Sequence, residues 1–370
     1  MHRPRPMTRL APTTEFWRMG ATPVPVAEIG RFAREFEDDG WDGLAVGEAH
    51  GLLPDPYTTL AVAAAATETL KLGTAVAVPL RHPLLAAGAM ASLQGISNGR
   101  ARFCLGRGDG AVKVLRQKPM RVAEFEQYLR RLQGFLGRET VDLEGTPVSM
   151  ARLDDIDPSL AVERPRVDVA ATGPKTIETA ARWADGINFS VGADLRRLEY
   201  SVRSARAVCE GAGKNPDDLD FGCFVQVAVT DAGDAIAREA IRGLVVTHAR
   251  FSGFEAKPVD VVDDARHGRY RHAVEVMEDV YHAERGGVTR TEGGAPGEID
   301  FYPLEAGADD LIDQFAIAGP PEYCAGRLRE IVSLGFARIY IGTRAVGVDL
   351  AERNARRIGR EVLPLVRAQP

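Results

Sequence analysis

The sequence lacks a basic block, a long apolar run and the apolar segment of a secretory signal. Its 46 lysines and arginines and its 52 aspartates and glutamates are dispersed along the chain and give a net charge of -6. Without a basic stripe interleaved with aromatic residues, nucleic acid is not expected as a partner. No apolar run approaches the ~20 residues that a membrane helix needs, so no membrane association is expected either.

Cysteine and histidine are also scarce, with four cysteines and seven histidines in 370 residues. The cysteines lie far apart, and three of them are in apolar segments, so we predict buried free thiols in a reducing cytoplasm. No His-x-x-x-His or Cys-x-x-Cys spacing occurs, and no metal site is predicted. The remaining composition, 45% hydrophobic and 26% charged, is that of a globular protein with one large domain or two ordinary ones.

Short apolar runs alternate with amphipathic segments along most of the chain. Residues 25–40, for example, place their apolar side chains at the spacing of one helix face. The apolar runs are nearly continuous, as in parallel strands that are buried on both faces of a sheet. Eight strands are predicted, at residues 16–21, 42–48, 71–78, 101–106, 167–172, 186–190, 221–230 and 337–342.

This order of elements favours a (β/α)8 TIM barrel that forms a single domain over residues 1–370. The alternative is an open, doubly wound sheet, which would need a glycine fingerprint after the first strand, and residues 16–30 have none. Two segments interrupt the repeat and are predicted to be insertions at the carboxyl-terminal face. Residues from about 138 to 165 predict a short hairpin, and residues from about 249 to 318 predict a lid or a substrate wall.

One strand-to-helix turn has two interpretations. The fifth apolar run is followed at once by Thr172, Gly173, Pro174, Lys175 and Thr176, and then by an alanine-rich amphipathic segment. Gly-Pro is a common way to start a helix, because proline has no N–H to lose there. Equally, the unpaired amides of a helix start attract phosphate. The residues alone leave both interpretations open.

Three stretches together carry a resemblance to a known family. Residues 71–111 contain the motifs LGT, RHP and GRGDG, residues 172–187 read TGPKTIETAARWADGI, and residues 319–341 read GPPEYCAGRLREIVSLGFARIYI. In this order they resemble the bacterial luciferase-like superfamily. Within it, they are most similar to methylenetetrahydromethanopterin reductases and other oxidoreductases that use the deazaflavin coenzyme F420.

The resemblance implies a barrel in which a tricyclic cofactor lies across the carboxyl ends of the strands. With F420, the protein would transfer a hydride between the deazaflavin and a small organic substrate. With FMN, which has the same ring system and phosphate, it would be a monooxygenase. A third possibility is a barrel that binds a flavin or a partner without catalysis. The resemblance also implies a homodimer.

The resemblance further implies which residues hold the cofactor. A cis peptide bond without proline is expected at Ala75–Val76, directly after Thr74, under the ring. Gly108 lies in the glycine-rich end of the fourth strand and is expected to contact the cofactor too. The turn Thr172–Thr176 is expected to hold the cofactor phosphate.

Three residues are candidates for proton transfer, and all follow predicted strands at the end where barrel enzymes carry out their chemistry. Glu48 and His50 end the second strand, where relatives have an acidic residue followed directly by histidine. Asp109 ends the fourth strand, although Ala111 stands where some relatives carry glutamate. The alternative for each candidate is a loop or turn residue. His82 of the RHP motif is instead predicted to start a helix.

Overall fold

The computed structural model describes residues 14–20, 25–49, 53–108, 112, 115–150, 162–231, 316–343 and 348–368. Strands and helices alternate over most of these residues. The strands are β1 (Glu15–Gly20), β2 (Gly43–Val46), β3 (Lys71–Thr74), β4 (Ala101–Leu105), β5 (Val141–Leu143), β6 (Thr146–Val148), β7 (Arg166–Ala171), β8 (Gly186–Phe189), β9 (Asp220–Val229), β10 (Ala316–Gly319) and β11 (Arg338–Gly342). The helices are α1 (Ile29–Asp38), α2 (Pro56–Ala66), α3 (Pro83–Ile96), α4 (Val122–Leu136), α5 (Pro174–Trp183), α6 (Leu195–Gly211), α7 (Pro321–Ser333), α8 (Val348–Arg357) and α9 (Leu363–Arg367), with a π-helical turn at Ile358–Val362.

Eight parallel strands close into a barrel, which confirms the predicted (β/α)8 fold. The ring runs β1, β2, β3, β4, β7, β8, β9 and β11, and β11 pairs back with β1. These are the eight strands that the sequence predicts. A ninth strand of this sheet, β10, was not predicted from the sequence, and it pairs with the carboxyl-terminal half of β9. Residues 316–318 of the segment 249–318 therefore lie in β10, and residues 249–315 lie outside the described residues.

The hairpin predicted within residues 138–165 is present. Strands β5 and β6 pair antiparallel, with Val141 opposite Val148, and they form a separate two-stranded sheet beside the barrel. Residues 151–161 lie outside the described residues.

The barrel strands are buried on both faces. Side chains that alternate along one strand therefore enter two different cores. On β1, Phe16 packs in the outer core between the strands and the helices, whereas its neighbour Trp17 packs inside the ring. The inner cluster comprises Trp17, Ala45, Cys104, Phe224 and Tyr340.

Glycines on the inner face leave room for these large side chains. A Cβ atom on Gly43 would lie 2.4 Å from Cδ2 of Trp17, and one on Gly222 would lie 2.2 Å from Oδ1 of Asn188. Neither position can carry a side chain unless the interior rearranges. The interior of the barrel is therefore a packed core and not a channel.

A network of ion pairs fills the amino-terminal half of the barrel. Arg102 on β4 donates from Nε and Nη2 to both carboxylate oxygens of Asp168 on β7, over 2.8 and 2.7 Å. Arg102 and Arg338 also contact Asp220 at the start of β9, over 3.0 and 3.3 Å. Burial would raise the pKa of Asp168, but the charges of Arg102 and Arg338 and the hydrogen bonds to the carboxylate lower it. The carboxyl-terminal end is therefore the end at which a ligand can enter.

The cysteines and the helices also agree with the sequence. Cys104, Cys209, Cys223 and Cys324 are all free and buried, as predicted. Burial raises the pKa of each thiol. Among the helices that the structure describes, none is both long and apolar enough to cross a bilayer.

We expect Asp168→Asn to lower the free energy of unfolding by ~3–5 kcal/mol, because it leaves the largely buried Arg102 guanidinium without its bidentate partner. Urea unfolding measures this loss. Glu178→Gln is the matched control, since Glu178 pairs with Arg182 at the surface and should change the free energy by less than ~0.5 kcal/mol. Equal, small losses in both variants would contradict the role of the interior network.

The same pair predicts a pH dependence. The pKa of Asp168 in the folded chain is lowered, so its stabilisation is complete above the unfolded value of ~3.9 and is lost as pH falls through the folded value. Asp168→Asn should therefore lose less stability than the wild type between pH 5 and about pH 2.

Candidate functional site

The regular strand β3 ends at Thr74, and the chain continues between the ends of β2 and β4 at the mouth of the barrel. The peptide bond Ala75–Val76 is cis, as the resemblance implies. The amide of Ala75 donates to the carbonyl of Val46 over 2.9 Å, and the amide of Ala77 donates to the carbonyl of Cys104 over 2.9 Å. Ala75 and Val76 are partly exposed, whereas the residues on either side of them are buried. The strand predicted over 71–78 thus ends in an irregular segment that offers two small side chains at the mouth.

Thr74 ties this segment to the neighbouring strand. Its hydroxyl donates to the carbonyl of Cys104 over 2.8 Å and accepts from the amide of the same residue over 3.0 Å. The side chain is buried. Thr74 therefore connects β3 to β4, and its hydroxyl is already used within the protein.

Glu48 supports the same segment from the outer side. Its carboxylate Oε2 accepts from the amide of Val78 over 2.8 Å, and its own amide donates to the carbonyl of Val76 over 3.0 Å. Burial raises the pKa of Tyr57 and of Tyr128, and the negative charge of Glu48 raises both further. Both tyrosines pack with the outer core, so the carboxylate lies beside α2 and α4.

Glycines directly after β2 and β4 give the segment its space. A Cβ atom on Gly106 would lie 2.9 Å from Cγ2 of Val76, and one on Gly47 would lie 3.3 Å from the carbonyl oxygen of Ala75. Gly108 has a φ of 84°, a conformation that other residues rarely adopt. Gly108 is buried, so it lets the chain turn at the exit of β4.

Aromatic side chains form a floor beneath the mouth. The ring of Tyr340 lies between Trp17 and Phe224, with ring centroids 5.4 and 5.1 Å apart. Burial raises the pKa of Tyr340, which keeps its hydroxyl neutral. Met19 and Ala170 pack against this cluster, as do Ala75 and Val76. The inner surface at the mouth is therefore small and mostly apolar.

Gln226 is a polar exception on this surface, and it is not among the site residues predicted from the sequence. It follows Phe224 on the inner face of β9, and its Oε1 lies 2.1 Å from the position that a Cβ atom on Gly342 would take. The side chain is 5% exposed, and Oε1 has no hydrogen-bond partner within the described part of the chain. A glutamine inside the apolar run FGCFVQVAVT was the signal that could have identified it.

The turn after β7 starts α5 without a side-chain cap. The helix begins at Pro174, and the carbonyl of Gly173 accepts from the amides of Thr176 and Ile177 over 3.1 and 3.0 Å. The amide of Thr176 is thus already engaged. The amide of Lys175 and the hydroxyl of Thr176 are the donors that this helix start can offer to an anion. Lys175 is exposed, and Thr172 and Thr176 are partly exposed.

Some of the other predicted residues lie in the part of the chain that the structure describes, and some do not. His50 and Asp109 lie outside the described residues. His82 caps α3, and its Nδ1 accepts from the amide of Leu84 over 3.3 Å, which confirms its predicted role as a helix start. The structure brings Glu48, Thr74 and the Ala75–Val76 step together.

This mouth can accept a flat, largely apolar ring with a polar edge and an anionic arm. Small side chains lie above the aromatic floor, and the buried carboxamide of Gln226 is a polar group on the same inner face. The start of α5 is at the end of β7, which pairs with β4, and it favours negative charge.

Comparison with known proteins agrees with this description. The model of the family Luciferase-like monooxygenase matches residues 9–338. The 5,10-methylenetetrahydromethanopterin reductase of Methanolobus tindarius is 27% identical over 346 residues, which is 92% of this chain and 96% of that protein. The F420-dependent glucose-6-phosphate dehydrogenase of Beutenbergia cavernae is 32% identical over 202 residues, 52% of this chain and 59% of that protein.

The fold has a match among solved structures. The coenzyme F420-dependent tetrahydromethanopterin reductase from Methanopyrus kandleri superposes with a TM-score of 0.69 at 19% identity, and the match covers 95% of this chain and 99% of that one. The family model spans most of the sequence, and the barrel is the same. The protein belongs to the luciferase-like monooxygenase family, and it is an oxidoreductase.

Proposed function

We propose that the protein is an F420-dependent oxidoreductase that transfers a hydride between the deazaflavin and a small organic substrate in the cytoplasm. The observation that carries the proposal is the pair of partly exposed small residues, Ala75 and Val76, at the mouth of the barrel. Two relatives support F420 as the cofactor, because one carries F420 in its name and the solved reductase structure carries it in its title.

The residues of the mouth fit such a cofactor. Gly106 and Gly47 keep the surface around Ala75–Val76 shallow, so a planar ring can approach the backbone. The amide of Lys175 and the hydroxyl of Thr176 fit a phosphate at the start of α5. When bound, F420 supplies hydride transfer at C5 of its ring.

The protein contributes orientation and the exclusion of water. The aromatic floor around Tyr340 and the ion pairs beneath it close the barrel from below, so solvent reaches the ring from one side only. His50 and Asp109 remain the proposed proton-transfer groups, because both follow strands that end at this mouth.

We expect saturable quenching of F420 fluorescence when the purified protein is titrated in. Thr176→Val should weaken F420 binding several-fold because it removes a donor to the phosphate, and it should leave binding of the phosphate-free deazaflavin chromophore unchanged. Failure to bind F420, together with oxygen uptake in the presence of reduced FMN, would replace the proposal with a flavin monooxygenase. Binding without turnover of any acceptor would indicate a non-catalytic barrel.

We assign Glu48 a positioning role, because its carboxylate holds the Val78 amide on the outer side of the strand. Glu48→Ala leaves this buried amide without its acceptor, and we expect F420 affinity to fall about tenfold. Glu48→Gln keeps a carbonyl acceptor and should restore the affinity.

The pH profile of kcat/KM separates this role from proton transfer. Glu48→Gln should keep both limbs of the wild-type profile, because the glutamine replaces only the acceptor. If one limb disappears in Glu48→Gln while the affinity stays normal, Glu48 is the acid or base and the positioning role is wrong.

We further propose that the protein is a homodimer that buries the outer faces of α2 and α3. Neither helix contains a charged side chain, although a quarter of the chain is charged. Leu85 is 67% exposed and Ile96 is 53% exposed on α3. An uncharged face needs an uncharged partner, and the same face of a second copy provides one in a two-fold dimer.

Leu85→Asp would place a charge in the centre of this interface and should convert the dimer to a monomer at micromolar concentration. Light scattering after size-exclusion chromatography measures the mass. Tyr323→Asp, at an exposed apolar position on α7, is the control and should remain dimeric. A wild-type monomer, or a Leu85→Asp dimer, would exclude this interface.

A further inference from the structure

We propose that the carboxamide of Gln226 binds the polar edge of the pyrimidine ring of the cofactor, and this inference rests on the proposed function. That edge presents a carbonyl, an N3–H and a second carbonyl in a row, in deazaflavins and flavins alike. A carboxamide has one acceptor oxygen and an NH2 donor side by side, so it can bond N3–H and one adjacent carbonyl together.

The position of Gln226 suits this role. β3 and β9 are the third and seventh strands of an eight-membered ring, so they lie on opposite sides of the barrel. Gln226 is in the carboxyl-terminal half of β9 on the inner face, beside Gly342 of β11, and therefore lies on the side of the barrel opposite Ala75–Val76. A ring that lies against Ala75–Val76 and spans the mouth would direct one edge toward β9.

Gln226 also differs in its hydrogen-bond partners from the buried side-chain amides that stabilise the fold. Gln94 is equally buried, and its Nε2 donates to the carbonyl of Glu163 while its Oε1 accepts from the amide of Ala101, both over 2.9 Å. Asn354 likewise satisfies both ends of its amide, with Val227 and Val229 of β9. These two amides stabilise the fold.

Gln226 lacks such a role, because its buried Oε1 has no partner within the described residues. Asn188 also has an unbonded Oδ1, but it lies lower in the barrel and donates to Asp168 in the ion-pair network. A buried acceptor without a donor destabilises the protein. A ligand at the mouth can supply the missing donor, and N3–H is a donor on the cofactor.

The experiment compares 5-deazariboflavin with its N3-methyl derivative, which lacks the N3–H. The wild type should bind the parent compound about three- to tenfold more tightly, the value of one neutral hydrogen bond. Gln226→Met keeps the volume of the side chain, and Gln226→Ala opens room for the methyl group. In both variants the ratio of the two Kd values should fall to about one.

Thermal unfolding of the protein without ligand gives a second readout. Gln226→Met removes an unsatisfied acceptor, so its Tm should equal or exceed that of the wild type, whereas Gln94→Met breaks two bonds and should lower the Tm without changing the ratio of Kd values.

Four outcomes would overturn the inference. A wild-type ratio near one, or a ratio that persists in both Gln226 variants, would show that Gln226 does not contact N3–H. A clear fall in the Tm of Gln226→Met would make the residue structural. If the wild type binds neither compound nor F420, both the proposed function and the inference are wrong. If the wild type binds F420 but the ratio of Kd values does not depend on Gln226, only the inference is wrong.

Discussion

The bidentate pair between Arg102 and Asp168 is the contact on which the organisation of the barrel depends. It joins β4 to β7, the two ring strands between which the chain makes the β5–β6 excursion. Two buried charges are costly to remove from water, and here Asp220 and Arg338 supply further partners within the same layer. This polar layer closes one end of the barrel and supports the aromatic floor above it. Ligand access is thereby restricted to the opposite end.

The open end is organised by the backbone more than by charge. The segment from Ala75 to Val78 bonds to β2 and β4 through amides and carbonyls, and Glu48 accepts one amide from the outer side. Gly106 removes the side chain that would otherwise contact Val76. The surface that results is shallow and apolar, and its shape depends on residues whose side chains are small or face away from it. The ion-pair layer thus makes one end of the barrel rigid, and that rigid end supports the shallow surface at the other end.

The sequence was sufficient for the ring and for part of the mouth. All eight ring strands were predicted, because strands buried on both faces appear as continuous apolar runs. β10 was missed because it follows a long segment without clear periodicity. The resemblance located Ala75–Val76, but it could not show that the Thr74 hydroxyl bonds to Cys104. Which side of a strand a side chain occupies depends on register, and one residue of shift reverses it.

The same reasoning explains why Glu48 and Gln226 had to be interpreted from the structure. Glu48 is a polar residue at the end of one apolar run of the barrel, Gln226 is a polar residue within another, and both are buried. Glu48 lies on the outer face, where Oε2 of its carboxylate accepts from the backbone amide of Val78, so it supports the segment at the mouth. Gln226 lies on the inner face, and its Oε1 has no hydrogen-bond partner among the residues that the structure describes. A polar side chain that bonds a backbone amide on the outer face supports the fold, whereas one with an unused acceptor on the inner face near the open end is suited to a ligand. The face of the barrel that the side chain occupies, and not residue type, therefore distinguishes support from recognition at this mouth.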